Sequence, residues 1–147
     1  MLADKAAIAK VIPHTGSMCL LDTVLECDAQ RIRCISSTHR DAGNPMRSGG
    51  ELSALCGIEY AAQAMAVHGV LGGQIDNKPR SGYLVGLRDV ACNTMRLDTL
   101  LDDLIIDAEK LMGDEARVIY QFTLYAGQSE IMSGRATVVL DADKVAA

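Results

Sequence analysis

The 147-residue chain has no tryptophan and a single phenylalanine, so its core has to be assembled mainly from Leu, Ile, Val, Met and Ala. Its five cysteines (Cys19, Cys27, Cys34, Cys56 and Cys92) are odd in number, widely spaced and never arranged as CxxC. That pattern speaks against a disulfide framework or a zinc site, and it leaves the thiols as small apolar side chains in apolar segments. No metal is expected. No apolar run approaches the roughly 20 residues needed to span a bilayer. The opening MLADKAAIAKVIPH lacks the apolar core of a secretory signal, so a cytoplasmic protein is expected, without a membrane segment. Positive charge is not in excess either: 14 Lys and Arg against 19 Asp and Glu give a net charge of −5, which argues against a nucleic-acid partner. Internal repeats and low-complexity tracts are absent, and the expectation is one domain over 1–147.

What is present is a foldable composition, 49% hydrophobic and 22% charged, which excludes disorder. The charge is unevenly spread. Residues 1–30 carry −2 and residues 97–147 carry −6, whereas 31–96 carry +3, mostly as Arg31, Arg33, Arg40, Arg47, Arg80, Arg88 and Arg96. An arginine-weighted middle on an acidic protein can receive an anionic ligand such as a phosphate. It reads equally well as a solvated surface that uses Arg.

The order of elements is legible. ADKAAIAKVIPH reads as a short helix with Asp4 as N-cap and Pro13 as stop. MCLLDTVLEC and QRIRCISS read as strands joined near Asp28-Ala29. The turn-rich THRDAGNPMRSGG is long for a loop in a compact domain and is a functional suspect. A long helix follows, about Leu52 to Leu71, closed by Gly72-Gly73. After QIDNKPRSG come four strands, with turns at Gly113-Asp114 and Ala126-Gly127. On the third of them Val118, Tyr120, Phe122 and Leu124 share one face.

The long helix holds the chemical question. At about 100° per residue the face of Glu59 carries Leu52, Leu55, Cys56, Ala62, Gln63 and Ala66, and the other face carries Ala61, Ala64 and His68. Both faces are apolar and small, so the helix is expected to be covered all round, with a four-strand antiparallel sheet as the natural wrapper. Strands curved about one helix describe the hot-dog fold, an α+β arrangement that dimerises by continuing its sheet. Burying Glu59 is costly unless it is paired or protonated, and Gln63 at i+4 is its nearest helical partner. A carboxyl group in such a place suits general acid catalysis. It can also simply point to solvent at a dimer seam or helix end.

GIEYAAQAMA resembles the E-A-x-A-Q helix motif of FabA/FabZ-type β-hydroxyacyl-acyl-carrier-protein dehydratases, with Glu59, Ala62 and Gln63 matching. VIPHTGSMCLLDTVLE is similar to their opening pattern at Pro13, His14, Leu20, Leu21, Asp22 and Val24. LLDDLIIDAEKL is similar to their lead into a central strand, at Asp103 and Leu104. The P-H-x-x-x-M-x-L-L-D opening and the G-I-E-Y-x-A-Q helix look most like the divergent members found with aryl-polyene clusters. The resemblance implies elimination of water from a β-hydroxyacyl thioester carried on acyl carrier protein, without a cofactor, by a dimer whose acid and base come from different protomers. It casts Glu59 as the acid, a histidine as the base, and the amides around Cys56 and Gly57 as donors to the enolate-like oxygen. Gly57 would let the thioester approach closely, and Gln63 completes the expected substrate-binding set.

The usual G-H-F-P-G motif that carries the base is missing, and the corresponding interval before Glu59 falls near Pro45. His39, 20 residues before Glu59, and His14, in the IPH turn, are the candidate substitutes. Each also reads as an ordinary loop or turn residue. His68, nine residues after Glu59, faces the other way. Met65, Met95 and Leu84 are candidates for lining an acyl tunnel. Two alternatives stay open: a hot-dog thioesterase in which the acid activates water, and a non-catalytic acyl-binding subunit.

Overall fold

The computed structural model describes residues 2–12, 18–72, 82–114 and 116–140. Helix α1 (Lys5–Val11) opens on Asp4, whose side chain accepts the Ala7 amide, and gives way at Ile12 to extended backbone. Pro13 lies outside the described residues. Strands β1 (Thr23–Cys27) and β2 (Arg31–Ser36) form a hairpin. Its turn is closed by Asp28, whose Oδ1 accepts the amides of Gln30 and Arg31 at 2.8 and 2.9 Å. The core helix α2 (Gly57–Leu71) follows, and then β3 (Gly82–Cys92), β4 (Leu104–Gly113), β5 (Arg117–Ala126) and β6 (Ser129–Leu140).

The wrapper is larger than the sequence suggested. The hairpin does not stand apart from the last four strands, because β2 pairs antiparallel with β4. One antiparallel sheet of six strands results, in the order β1-β2-β4-β5-β6-β3. Arg33 sits opposite Asp107 across the β2–β4 seam and grips it with two 2.7 Å bonds from Nε and Nη2. Alternation does the rest. Val118, Tyr120, Phe122 and Leu124 of β5 face α2 and are buried, and the only phenylalanine lies against Gly134 of β6.

The helix also starts later than expected. Leu52 and Ser53 run extended beside 95–97, with Leu97 N–H on the Leu52 carbonyl and Ala54 N–H on that of Met95. Ser53 then caps a 3-10 turn (Ala54–Cys56) that feeds α2. Within reach of a partner strand, those residues satisfy their backbone by pairing across rather than by helix. The start of α2 presses Gly57 against Leu124 and Met132, two residues opposite each other on β5 and β6. Its end brings Gly72 onto the Asp28 carbonyl at the β1–β2 turn. The result is the hot-dog arrangement, a curved sheet around one helix.

Coverage of α2 is incomplete. Tyr60, Ala61, Gln63, Ala64, Met65, Val67 and His68 are buried, but Ile58, Glu59, Ala62, Ala66, Gly69 and Val70 are only half-buried. Those positions recur at three- and four-residue steps, so they form one open stripe that begins at Ile58 and Glu59.

Candidate active site

Glu59 stands in the first turn of α2 and is held from the next turn. Gln63 Nε2 donates to Glu59 Oε2 at 3.1 Å. The same amide donates to the Met18 carbonyl at 2.8 Å, and its oxygen accepts the Leu20 amide at 2.9 Å. Gln63 is 2% exposed, with both ends of its amide occupied. It anchors the acid and the backbone of Met18 and Leu20 rather than offering itself to a substrate.

Apolar side chains are also partly open along the edge strand β3. Leu84 and Leu87 of β3 lie opposite Val138 and Ala136, residues packed towards the helix, and both are 38% exposed. The helix α2 also touches β3, the edge strand that carries these leucines. Of the expected lining residues, Leu84 is partly exposed on β3. Met65 is buried in the core, and Met95 projects into solvent near the helix start.

The start of α2 differs from the oxyanion cradle the resemblance implied. The Cys56 amide donates to the Ser53 carbonyl at 3.0 Å, and the Gly57 amide is directed at the carbonyls of Ala54 and Leu55. Both expected donors are therefore spent inside the 3-10 turn. Gly57 lies close against the sheet: a Cβ there would sit 3.0 Å from Leu124 Cδ2 and 3.2 Å from Met132 Sδ, the tips of two flexible side chains. The Cys56 side chain is half-buried, with its thiol pushed up by burial. Cys34, in the core, is pushed up to about 12 by the same cause and is inert as a thiolate.

The three histidines have separate fates. His14 lies outside the described residues. His39 is fully buried in a 3-10 turn (Thr38–Arg40) of the β2–α2 loop, with Nε2 3.1 Å from the Leu100 carbonyl. That contact makes Nε2 the protonated nitrogen and leaves Nδ1 as a lone-pair acceptor. His39 Nδ1 is a buried side-chain polar atom without a hydrogen-bond partner among the described residues. Burial, foremost, pulls the ring below the ordinary histidine pKa and keeps it neutral. His68 faces the core and is bonded at both nitrogens.

The arginine-rich middle is largely neutralised. Arg33 and Arg31 meet Asp107, Arg40 meets Asp103, and Arg47 and Arg96 meet Asp98. The Arg96 fork, seconded by the Leu52 amide, holds the Asp98 carboxyl far below the usual carboxylate range. Arg80 is outside the described residues, and Arg88 has no carboxylate partner among them.

A family model for ApeP-like proteins, described as ApeP dehydratase, matches residues 6–147. The chain belongs to the ApeP-like dehydratase family. Among solved structures it is similar to the dehydratase heterocomplex ApeI:P from Xenorhabdus doucetiae, at 23% identity over 90% of each chain with a TM-score of 0.74. A thioesterase from Haemophilus influenzae shares the fold at 9% identity, over 95% of this chain and 92% of that one, with a TM-score of 0.67. Zebra fish thioesterase superfamily member 2 does so at 14% identity, over 94% and 99%, with a TM-score of 0.65. No curated protein matches by sequence. For an ApeP-like dehydratase, the polar residues that sequence reasoning passed over are Thr38, Asn44 and Tyr60, which are hydrogen-bonded to one another beneath α2. The available signal was a single tyrosine inside an Ala- and Met-rich helix, and an Asn beside Pro45 where the base had been sought.

Proposed function

We propose that this chain removes water from β-hydroxyacyl thioesters delivered on an acyl carrier protein, giving trans-2-enoyl thioesters. A histidine takes the proton alpha to the thioester carbonyl, the new double bond expels the β-hydroxyl, and Glu59 protonates that hydroxyl so that it leaves as water. The observation that carries this reading is the place of Glu59. It stands in the first turn of the core helix, on the stripe left half-buried, in a chain of the ApeP-like dehydratase family.

For the base, His39 has the stronger chemistry among the two candidates. Its Nε2–H is anchored on a backbone carbonyl, its ring is neutral, and its Nδ1 lone pair is unused. The ring is sealed in the protomer, so its loop has to shift for it to meet substrate. His14 is the alternative base. We propose that the acid and base meet in an assembly with a second hot-dog subunit along β3, either another copy of this chain or, as in the heterocomplex from Xenorhabdus doucetiae, a different one.

The deciding experiment is hydration of a crotonyl thioester by Glu59→Gln. A loss of about 100-fold or more with unchanged melting temperature is expected. Wild-type turnover by the variant would remove Glu59 from the chemistry. Release of free thiol from acyl-CoA by the wild-type protein would assign a thioesterase instead. With His39→Gln inactive and His14→Gln active the base is His39, and the reverse pattern moves that role to His14.

A further inference from the structure

A chain of hydrogen bonds runs beneath α2 from the β2–α2 loop to the carboxylate. Asn44 Nδ2 lies 3.1 Å from the Tyr60 hydroxyl, and that hydroxyl lies 2.7 Å from Thr38 Oγ1. Thr38 Oγ1 donates to the Leu20 carbonyl at 2.7 Å, beside the Ser36 hydroxyl on the same oxygen. The amide of that same residue, Leu20, meets Gln63 Oε1, and Gln63 Nε2 meets Glu59. Tyr60, Gln63, Ser36, Asn44 and Leu20 are all at least nine-tenths buried.

The donors in this chain all point one way. A backbone amide can only donate, so Leu20 fixes the oxygen of Gln63 towards itself and the NH2 group towards Met18 and Glu59. With the Thr38 proton spent on the Leu20 carbonyl, the short contact to Tyr60 must be donated by the tyrosine. Its oxygen is then free to accept Asn44, whose own amide is oriented by the Thr38 carbonyl and the Met46 amide. Three donors therefore lead to the Leu20 carbonyl and two more, beginning at the Leu20 amide, lead to Glu59, the two runs meeting at the backbone of Leu20.

We propose that Tyr60 and Thr38 are positioning residues for the acid: by holding the backbone of Leu20 in place they keep Gln63 presenting N–H, not C=O, to Glu59. This rests on the reading of Glu59 as the proton donor. A flipped or loosened Gln63 would set its carbonyl against the carboxylate and let the acid leave its working rotamer.

The test is kinetic and structural together. Tyr60→Phe and Thr38→Val, each deleting one hydroxyl, are expected to lower kcat about fivefold with KM within about twofold, while Thr38→Ser keeps the rate. In a Gln63→Ala background, Tyr60→Phe should add less than about twofold, because its effect passes through Gln63. Independently of turnover, hydrogen exchange at the Leu20 amide should speed up about tenfold in Tyr60→Phe while Phe122 in β5 is unchanged. Unchanged kcat in Tyr60→Phe, full additivity with Gln63→Ala, or equal Leu20 exchange in the two proteins would each overturn the proposal. A protein without dehydratase turnover would defeat the reading of Glu59, and the exchange measurement would still decide whether Tyr60 holds the Leu20–Gln63 link.

Discussion

His68 and Tyr120 meet edge to face in the core, ring centroids 5.5 Å apart at 84°, with His68 Nδ1 2.7 Å from the Tyr120 hydroxyl. The other nitrogen, Nε2, lies 2.8 Å from the Asp28 carbonyl and therefore carries the proton. Tyr120 donates to Nδ1, and burial pushes its own pKa well up, so it stays protonated. The pair ties the end of α2 to β5 and to the β1–β2 turn, with every polar atom satisfied.

This arrangement sets a pH dependence. Burial, first, lowers the pKa of both His68 and His39 in the folded chain. Below about 6.5 the unfolded chain binds protons that the folded one refuses, so stability is complete above that pH and falls as pH drops. Each histidine contributes at most about 1.4 kcal/mol per pH unit in that window. Urea melts between pH 7.5 and 5 should show the slope, and His68→Gln should remove one proton's share of it. A flat profile would mean that these rings are charged in the fold.

Two glycines predict opposite tolerance. At Gly72 an added Cβ would lie 2.4 Å from the Asp28 carbonyl oxygen, a backbone atom that also serves His68. Gly72→Ala is expected to cost about 2 kcal/mol or more. At Gly57 the neighbours are the flexible tips of Leu124 and Met132, and alanine gains about 1 kcal/mol of helix propensity. Gly57→Ala should therefore stay within about 1 kcal/mol of the wild type. Thermal melts of the two variants check the contrast.

The edge strand β3 gives a third prediction. Tyr83 and Val85 are 57% and 58% exposed on a strand that pairs only with β6 among the described residues. An open apolar edge invites a further strand, and lysine on it opposes pairing. Val85→Lys should therefore dissociate whatever assembly the chain forms, read by light scattering at matched concentrations. A wild-type protein that is monomeric alone would point to a different subunit as the partner. An assembly unmoved by the substitution would place the interface away from β3.

Much of the fold was readable because its signals are local. The Asp4 cap, the Asp28 turn, the alternation of β5 and the glycine after Leu71 each act within a few residues. Glu59 beside Gln63 was readable for the same reason, since i and i+4 on a helix are neighbours by construction. The sheet order was not, because β2 meets β4 through pairs such as Arg33 with Asp107, 74 positions apart. Nor was the late start of α2, which depends on Leu52 finding Leu97.

In the candidate site the division is sharper. Composition and spacing by themselves determined that a carboxylate would stand on an apolar helix with an amide one turn away. Only tertiary contacts decided that the helix keeps one side open, that Gly57 lies close against Leu124 and Met132, that the amides at 56 and 57 are spent, and that His39 is sealed with one nitrogen unpartnered among the described residues. Which polar groups are satisfied, and by whom, depends on segments brought together from across the chain, and nothing in a local window records that.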